Sequence, residues 1–211
     1  MMIAAMMVAV LSANAQNEVG QITLKPTVGL NIAKITKLDD NSTRAGLMAG
    51  VEAEYGIAEN FGLTAGLFYS MQGSKQDWGT GKVDVDGIPA TYNATLTWKT
   101  DYLNIPIMAQ YYVIKGLAVK AGIQPGFCVS KKVTFEQAGS YAGEAASEKE
   151  TEKLKDGIKS FAFAIPVGLS YEYANFVLDA RYNIGLTKVA KEDFNGKHSV
   201  FSISLGYKFA L

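Results

Sequence analysis

The chain reads as all-β, an eight-stranded antiparallel up-and-down transmembrane β-barrel with a filled polar lumen, and three observations predict it. Apolar residues recur at every second position in eight segments, so each strand has one greasy face and one polar face. The connections alternate strictly between short and long, as in barrels with tight turns at one membrane surface and long loops at the other. The polar faces consist mainly of Gly, Ser, Thr and Asn, sizes that fit the narrow interior of eight strands and not a solvated exterior dense in Lys and Glu.

Residues 1–15 read as a secretory signal. Met1 to Leu11 is apolar but too short to span a bilayer, and Ala13-Asn14-Ala15 ahead of Gln16 makes a small-x-small cleavage site, although no Lys or Arg precedes the apolar run. Residues 16–211 then form one barrel domain. On its first strand Ile22, Leu24, Val28, Leu30 and Ile32 share a face, and Pro26 suits a bulge or a position whose N–H would face no partner. The second sets Leu47, Ala49, Val51, Ala53 and Tyr55 against Met48, Gly50, Glu52 and Glu54. A tight turn near Asn60 leads to the third, with Phe61, Leu63, Ala65, Leu67, Tyr69 and Met71 on one side.

The fourth strand carries Leu103, Ile105, Ile107, Ala109, Tyr111 and Val113. It turns near Lys115 into the fifth, with Leu117, Val119, Ala121, Ile123, Phe127 and Val129. The sixth has the clearest alternation, Phe161 to Tyr173, and turns at Ala174-Asn175 into the seventh, Phe176 to Leu186. The eighth carries Phe201, Ile203, Leu205, Tyr207 and Phe209. Longer loops near Asp39, Asp86, Glu148 and Asn195 all fall at the other end, which is therefore the extracellular one.

Twenty basic and twenty acidic residues cancel with no basic stripe, which excludes nucleic acid as a partner. The lone Cys128 has no internal disulfide partner and falls on the lumen face. On that face Lys25, Lys120, Arg181 and Lys208 balance Glu52, Glu54, Glu172 and Asp179. Buried charges persist when paired, so the expectation is a lumen ion-pair network that plugs the barrel. Outside, the expected partner is outer-membrane lipid, with aromatic residues near the strand ends as interfacial belts. At the end of the chain Ser204, Gly206, Phe209 and Leu211 resemble the C-terminal insertion signal read by the barrel-assembly machinery, with Leu211 in place of the usual aromatic residue.

Five runs carry a wider resemblance: Gly50-Val51-Glu52-Ala53-Glu54-Tyr55, Leu67-Phe68-Tyr69-Ser70-Met71-Gln72-Gly73, Tyr102-Leu103-Asn104-Ile105-Pro106-Ile107, Leu178-Asp179-Ala180-Arg181-Tyr182-Asn183 and Leu205-Gly206-Tyr207-Lys208-Phe209. On these runs the chain resembles the PorT-like outer-membrane β-barrels typical of Bacteroidetes. The resemblance implies an outer-membrane location and eight strands, and it implies little about activity.

No catalytic constellation is expected. The one histidine, His198, stands beside Ser199, but neighbouring residues on a strand point to opposite faces, and His198 reads as a loop or rim residue. A lone His and a lone Cys offer no ligand spacing, and Asp39-Asp40-Asn41 reads as a solvated loop, so neither metal nor cofactor is expected. Binding is better sought in the loops. Tyr92, Ala94, Leu96 and Trp98 alternate with Thr91, Asn93, Thr95 and Thr97, and Asp86-Gly87 is a natural hairpin turn. Strands three and four are therefore expected to continue as a protruding ribbon, with a register change near Asp101 where the apolar parity switches. Trp78, Tyr92 and Trp98 on this ribbon are the candidate binding residues for an extracellular protein or glycan, and its edge could pair with a foreign strand. Residues 147–155 read as a short solvated helix or a disordered loop. The function expected is a non-enzymatic barrel presenting loops for structural, binding or adhesive purposes. The alternatives are a lipid A-modifying enzyme at the outer rim and an accessory of protein secretion.

Overall fold

A computed structural model describes residues 19–38, 41–85, 88–142, 144–154, 157–190 and 195–211. The candidate signal, Asp39-Asp40 and Asp86-Gly87 lie outside them. Twelve strands follow in order: β1 (Ile22–Ile35), β2 (Asn41–Ser42), β3 (Arg44–Ala58), β4 (Phe61–Val85), β5 (Ile88–Asn104), β6 (Ile107–Ile114), β7 (Leu117–Tyr141), β8 (Glu144–Lys153), β9 (Phe161–Tyr173), β10 (Phe176–Lys188), β11 (Lys197–Tyr207) and β12 (Phe209–Ala210). Neighbours pair in the order β11-β10-β9-β7-β5-β4-β3-β1, and β1 closes the ring by pairing β11 from Thr27↔Gly206 to Ile35↔His198. Taking β5 with β6 and β11 with β12 as interrupted single strands, the ring has eight members. Closure removes every sheet edge within the membrane, where an unpaired backbone group has no water to satisfy it.

The interruptions follow from chemistry. Pro106 cannot donate to a ladder, so β5 ends at Asn104 and β6 resumes at Ile107; Gly66 N–H donates to the Pro106 carbonyl (2.9 Å) and Ile105 N–H to that of Pro125 (2.9 Å). Pro26 faces the gap between β11 and β12, where Lys208 N–H donates instead to the Asn175 carbonyl (2.8 Å). The tight turns are equally specific. Ala174 and Asn175 both have positive φ, 46° and 69°, as a two-residue turn matched to the strand twist demands. Gly116 has φ 81°, and a Cβ there would meet the Glu172 carbonyl oxygen at 2.6 Å.

The apolar rows point outward. Leu30 and Leu169 are each 53 % exposed, whereas Glu52 is 1 % exposed inside. This inversion of a water-soluble core fits a ring whose outer surface meets hydrocarbon. Aromatic pairs sit at both ends of the wall: Phe176 and Tyr207 at the short-turn end (centroids 5.0 Å apart), Phe127 and Phe161 toward the long loops (5.6 Å).

Four strands run on past the long-loop end as a sheet. β4 and β5 stay paired to Val85↔Ile88, β5 and β7 to Ala90↔Tyr141, and β8 lines β7 from Tyr141↔Glu144 to Lys132↔Lys153. Residues 144–153 are thus a strand, not a helix or an irregular loop. The ladder with β7 outweighs their helical propensity, and their Lys and Glu side chains suit a solvated edge that must not pair indiscriminately. The expected register change does occur at Asp101, but in the ladder of β5 with β7 and not in that of β4 with β5. The β4–β5 ladder is unbroken through Met71↔Asp101, and the irregularity lies on β7, where Val129 is extra between Tyr102↔Cys128 and Asp101↔Ser130. Even-numbered residues of β5 therefore keep to the lumen side throughout. Apolar character changes face because the exterior changes from hydrocarbon to water. The inward rows accordingly turn apolar at this end, where buried Ile35, Ile158 and Val189 pack with Leu38, Trp98 and Leu154.

Candidate functional site

The lumen side chains arrange themselves in layers. Nearest the tight turns, Lys208 Nζ lies 3.0 Å from Glu54 and 2.5 Å from Glu172, while Tyr112 O–H (2.9 Å) and Gln110 Nε2 (2.8 Å) donate to Glu54. In the next layer Glu52 accepts from Lys25 (2.7 Å), Lys120 (3.1 Å) and Arg181 (3.0 Å), and Asp179 accepts from Lys120 (3.0 Å) and Arg181 (3.1 Å). The Arg181 guanidinium also stands over the Phe68 ring at 5.7 Å. The first layer holds one cation against two carboxylates and the second three cations against two, so the layers carry formal excesses of −1 and +1 that cancel. All eight residues are buried. Alternation could find the charges; it could not find Phe68, Gln110 and Tyr112, whose inward positions follow from parity but whose role depends on the partner opposite.

Above the charges the lumen becomes neutral. Asn31 Nδ2 donates to Ser70 (2.9 Å), and Ser202 donates to Asn31 (2.7 Å). Higher still Tyr102 and His198 meet edge-to-face, with the hydroxyl 3.2 Å from Nε2. His198 is a buried lumen residue and not a rim residue. Its strand continues to Lys197, far enough to draw it inside the ring, and sequence parity alone did not reveal that reach. Ser199 points the other way and shares a hydrogen bond with the outward Tyr182 hydroxyl (2.7 Å), so the structure does not bring His198 and Ser199 together. A cavity of about 20 Å³ adjoins His198, Tyr102 and Asn183, room for a water molecule rather than a substrate. Cys128 lies opposite Tyr102 and donates to the Ser130 carbonyl (3.4 Å). No group of three or more His, Cys, Asp or Glu suited to a metal ion occurs among the described residues.

The sheet beyond the long-loop end has two unlike faces. Its lumen-side face aligns Tyr92, Ala94, Leu96 and Trp98 of β5 with Gly139, Gln137, Phe135 and Val133 of β7. Trp78 of β4 joins them, its ring 6.0 Å from that of Phe135. The other face is rich in Thr and Lys. The three ribbon aromatics separate by role: Trp78 (56 % exposed) and Tyr92 (58 %) are open to solvent, whereas Trp98 packs into the apolar cluster at the mouth and donates from Nε1 to Gln76 (3.1 Å). A groove of about 430 Å³ opens on this face, with Ala94, Gly139 and Ala146 as its floor and Tyr92, Gln137 and Glu148 as its walls. At the chain end Ser204 is buried in the lumen wall, Phe209 leans on Tyr207 (4.8 Å) and Leu211 is 79 % exposed.

A family model described as outer membrane protein beta-barrel domain matches residues 14–191. No curated protein matches the sequence. Among solved structures, the chain is similar to Ail, the attachment invasion locus protein of Yersinia pestis, at 15 % identity, with 91 % of this chain and 100 % of that chain covered and a TM-score of 0.46. It is similar to Neisserial surface protein A at 13 % identity, covering 89 % and 97 %, with a TM-score of 0.47. It also resembles a de novo designed transmembrane β-barrel at 13 % identity, covering 92 % and 99 %, with a TM-score of 0.38.

Proposed function

Since the chain belongs to the family of outer-membrane protein β-barrel domains, and so sits in the outer membrane against lipid, we propose that it is a non-enzymatic docking protein whose barrel is closed by its own side chains. The observation that carries this reading is the placement of Trp78 and Tyr92. Both are more than half exposed on a sheet that projects beyond the lipid-facing wall, and Tyr92 lines a groove of about 430 Å³. Large aromatic residues standing in water on a rigid sheet are suited to binding an extracellular protein or glycan. Closure of the barrel is supported by the two charge layers and by the apolar cluster at the mouth. The divergence of His198 and Ser199, and the small space beside His198, speak against lipid hydrolysis at this pair. Residues 102–107 and 178–183 support a PorT-like affiliation among Bacteroidetes barrels, and Ser204, Gly206, Phe209 and Leu211 support recognition by the barrel-assembly machinery.

The test compares bacteria displaying the wild-type chain with bacteria displaying Trp78→Ala/Tyr92→Ala, on arrays of immobilised glycans and extracellular-matrix proteins. Loss of each hot-spot aromatic typically costs binding by 2 kcal/mol or more, so retention on at least one surface is expected to fall by about tenfold or more. Equal retention of both strains on every surface would overturn the reading.

A further inference from the structure

Directly opposite residues of a sheet share a face, so the ladders of β4, β5, β7 and β8 fix the side on which each charge of the projecting sheet lies. Lys75, Lys82, Lys99, Lys132, Lys149 and Lys153 all fall on the outward face, together with Asp77, Asp84 and Glu136. The lumen-side face differs in sign. On β8 Glu144, Glu148 and Glu150 stand directly opposite Tyr141, Gln137 and Phe135 of β7, and the row continues to Glu152 opposite Val133. All four glutamates are exposed. The next basic residue down that β7 row is Lys131 at the mouth, whose Nζ donates to the Ile158 carbonyl (2.7 Å) and the Ser160 hydroxyl (3.1 Å). Among the described residues of the sheet above Lys131, the lumen-side face carries acids alone.

The groove of about 430 Å³ crosses this face where its side chains are smallest. It runs from Tyr92 on β5 over Gly139 on β7 to Ala146 on β8, one cross-strand line that spans about 10 Å at two strand spacings. An aromatic ring stands at one end. At the other, Ala146 sits between Glu144 and Glu148, its neighbours on the same face of β8. A trough that leads from a ring across small residues to a pair of carboxylates suits a side chain with a long apolar stem and a cationic head, which describes lysine and arginine. Ring and carboxylates select the same sign of charge, since the face of an aromatic ring attracts cations. Beyond the trough Glu150 follows Glu148 at about 7 Å, the repeat of alternate residues in an extended chain.

We infer that this trough receives an arginine or lysine side chain from an extended, basic segment of an extracellular protein, and that Glu150 meets the basic residue two positions along the same segment. The inference rests on the docking reading and narrows its partner from a protein or glycan to a cationic polypeptide. Sulfated and sialylated glycans are repelled by the acidic row, and neutral ones draw nothing from it. Complementary charge of this kind speeds encounter and rejects wrong partners more than it deepens affinity, which leaves Trp78 and Tyr92 as the apolar anchors.

The test measures fluorescence anisotropy of short labelled peptides on the folded barrel in nanodiscs of zwitterionic lipid, with empty nanodiscs as the blank. The peptides alternate tyrosine and threonine with lysine, glutamine or glutamate and are otherwise identical; a chondroitin sulfate oligosaccharide is the anionic-glycan probe. The lysine peptide is expected to bind about tenfold tighter than the glutamine peptide at low salt, and the difference should shrink as salt screens it. E144Q/E148Q/E150Q should make the two equal, and E144K/E148K/E150K should turn the preference to the glutamate peptide, a reversal that a folding defect does not produce. Ala146→Leu fills the trough with every charge retained and should bring the lysine peptide to the level of the glutamine one. K75Q/K82Q/K153Q on the outward face should leave the ratio unchanged, which separates the local row from net charge. Equal binding of the lysine and glutamine peptides, no measurable binding of any peptide, or a preference for the sulfated oligosaccharide would overturn the inference. The adhesion arrays answer separately for the docking reading: retention lost in the Trp78/Tyr92 variant keeps that reading even where the peptides show no preference, and retention without that dependence removes it.

Discussion

Glu52 shows how much rests on one side chain buried inside the barrel. Its two oxygens receive Lys25, Lys120 and Arg181, and truncation leaves three buried cations with Asp179 alone. Glu52→Ala is expected to destabilise the folded barrel by about 3–5 kcal/mol, the cost of leaving buried charge uncompensated. Urea titration of the barrel in vesicles measures this, and a change below about 1 kcal/mol would mean the layer is not a mutually dependent network. The partners of Glu52 were only partly legible beforehand. Parity puts Glu52, Lys120 and Arg181 on the inward face, but |i−j| separations as long as that from Glu52 to Arg181 are set by strand stagger, which no local pattern encodes. His198 illustrates the same limit, because whether a residue near a strand end is rim or lumen depends on how far the neighbouring strands extend.

At the scale of elements, alternation sufficed where one side of a strand meets hydrocarbon. The eight wall strands and their short turns were readable because a one-residue slip would turn every apolar side chain to the wrong medium. Leu169→Arg on the lipid face should therefore cost about 2–4 kcal/mol and impair insertion, while Ser170→Lys inside is limited by space and charge balance; parallel refolding yields decide, and equal tolerance would contradict the face assignment. Outside the membrane the code loosens. β8 has no apolar face at all, so nothing in its composition distinguished a strand from a solvated helix, and only the pairing with β7 makes it one. One of its ties is titratable. The hydrogen bond from Lys149 holds the Glu136 carboxyl below its ordinary pKa, so the stabilisation is present above the unfolded value and is lost as pH falls through the folded one. Acidification below the usual carboxylate range should speed proteolytic cleavage within residues 144–153, measured with an acid-active protease, and Lys149→Ala should show the faster rate at neutral pH with little further change. An unchanged rate in both would assign β8's attachment wholly to its backbone ladder.

For the whole molecule, the decisive physical fact is that the inward and outward faces exchange polarity once along the barrel axis. Within the membrane, apolar residues face out and charges face in; beyond it, apolar side chains gather on the inner side in a cluster of Ile35, Trp98, Ile158 and Val189. Such a molecule should not conduct. Planar-bilayer recordings of the wild-type chain are expected to show no stable ion current, and Trp98→Ala combined with Glu52→Ala is expected to open measurable steps. Steady conductance in the unaltered chain would overturn barrel closure while leaving the extracellular sheet as the docking element.

The pairing of β1 with β11 and β12 gives the wall a seam between its first and last strands, with Thr23 beside Ala210 and the Leu211 N–H on the Ile22 carbonyl (3.0 Å). During folding β1 must wait, half-satisfied, while every intervening hairpin is laid down, and it zips shut only when the final strand arrives. Long-range pairing of this kind is slow, so membrane insertion should be governed by the last step and not by the hairpins that precede it.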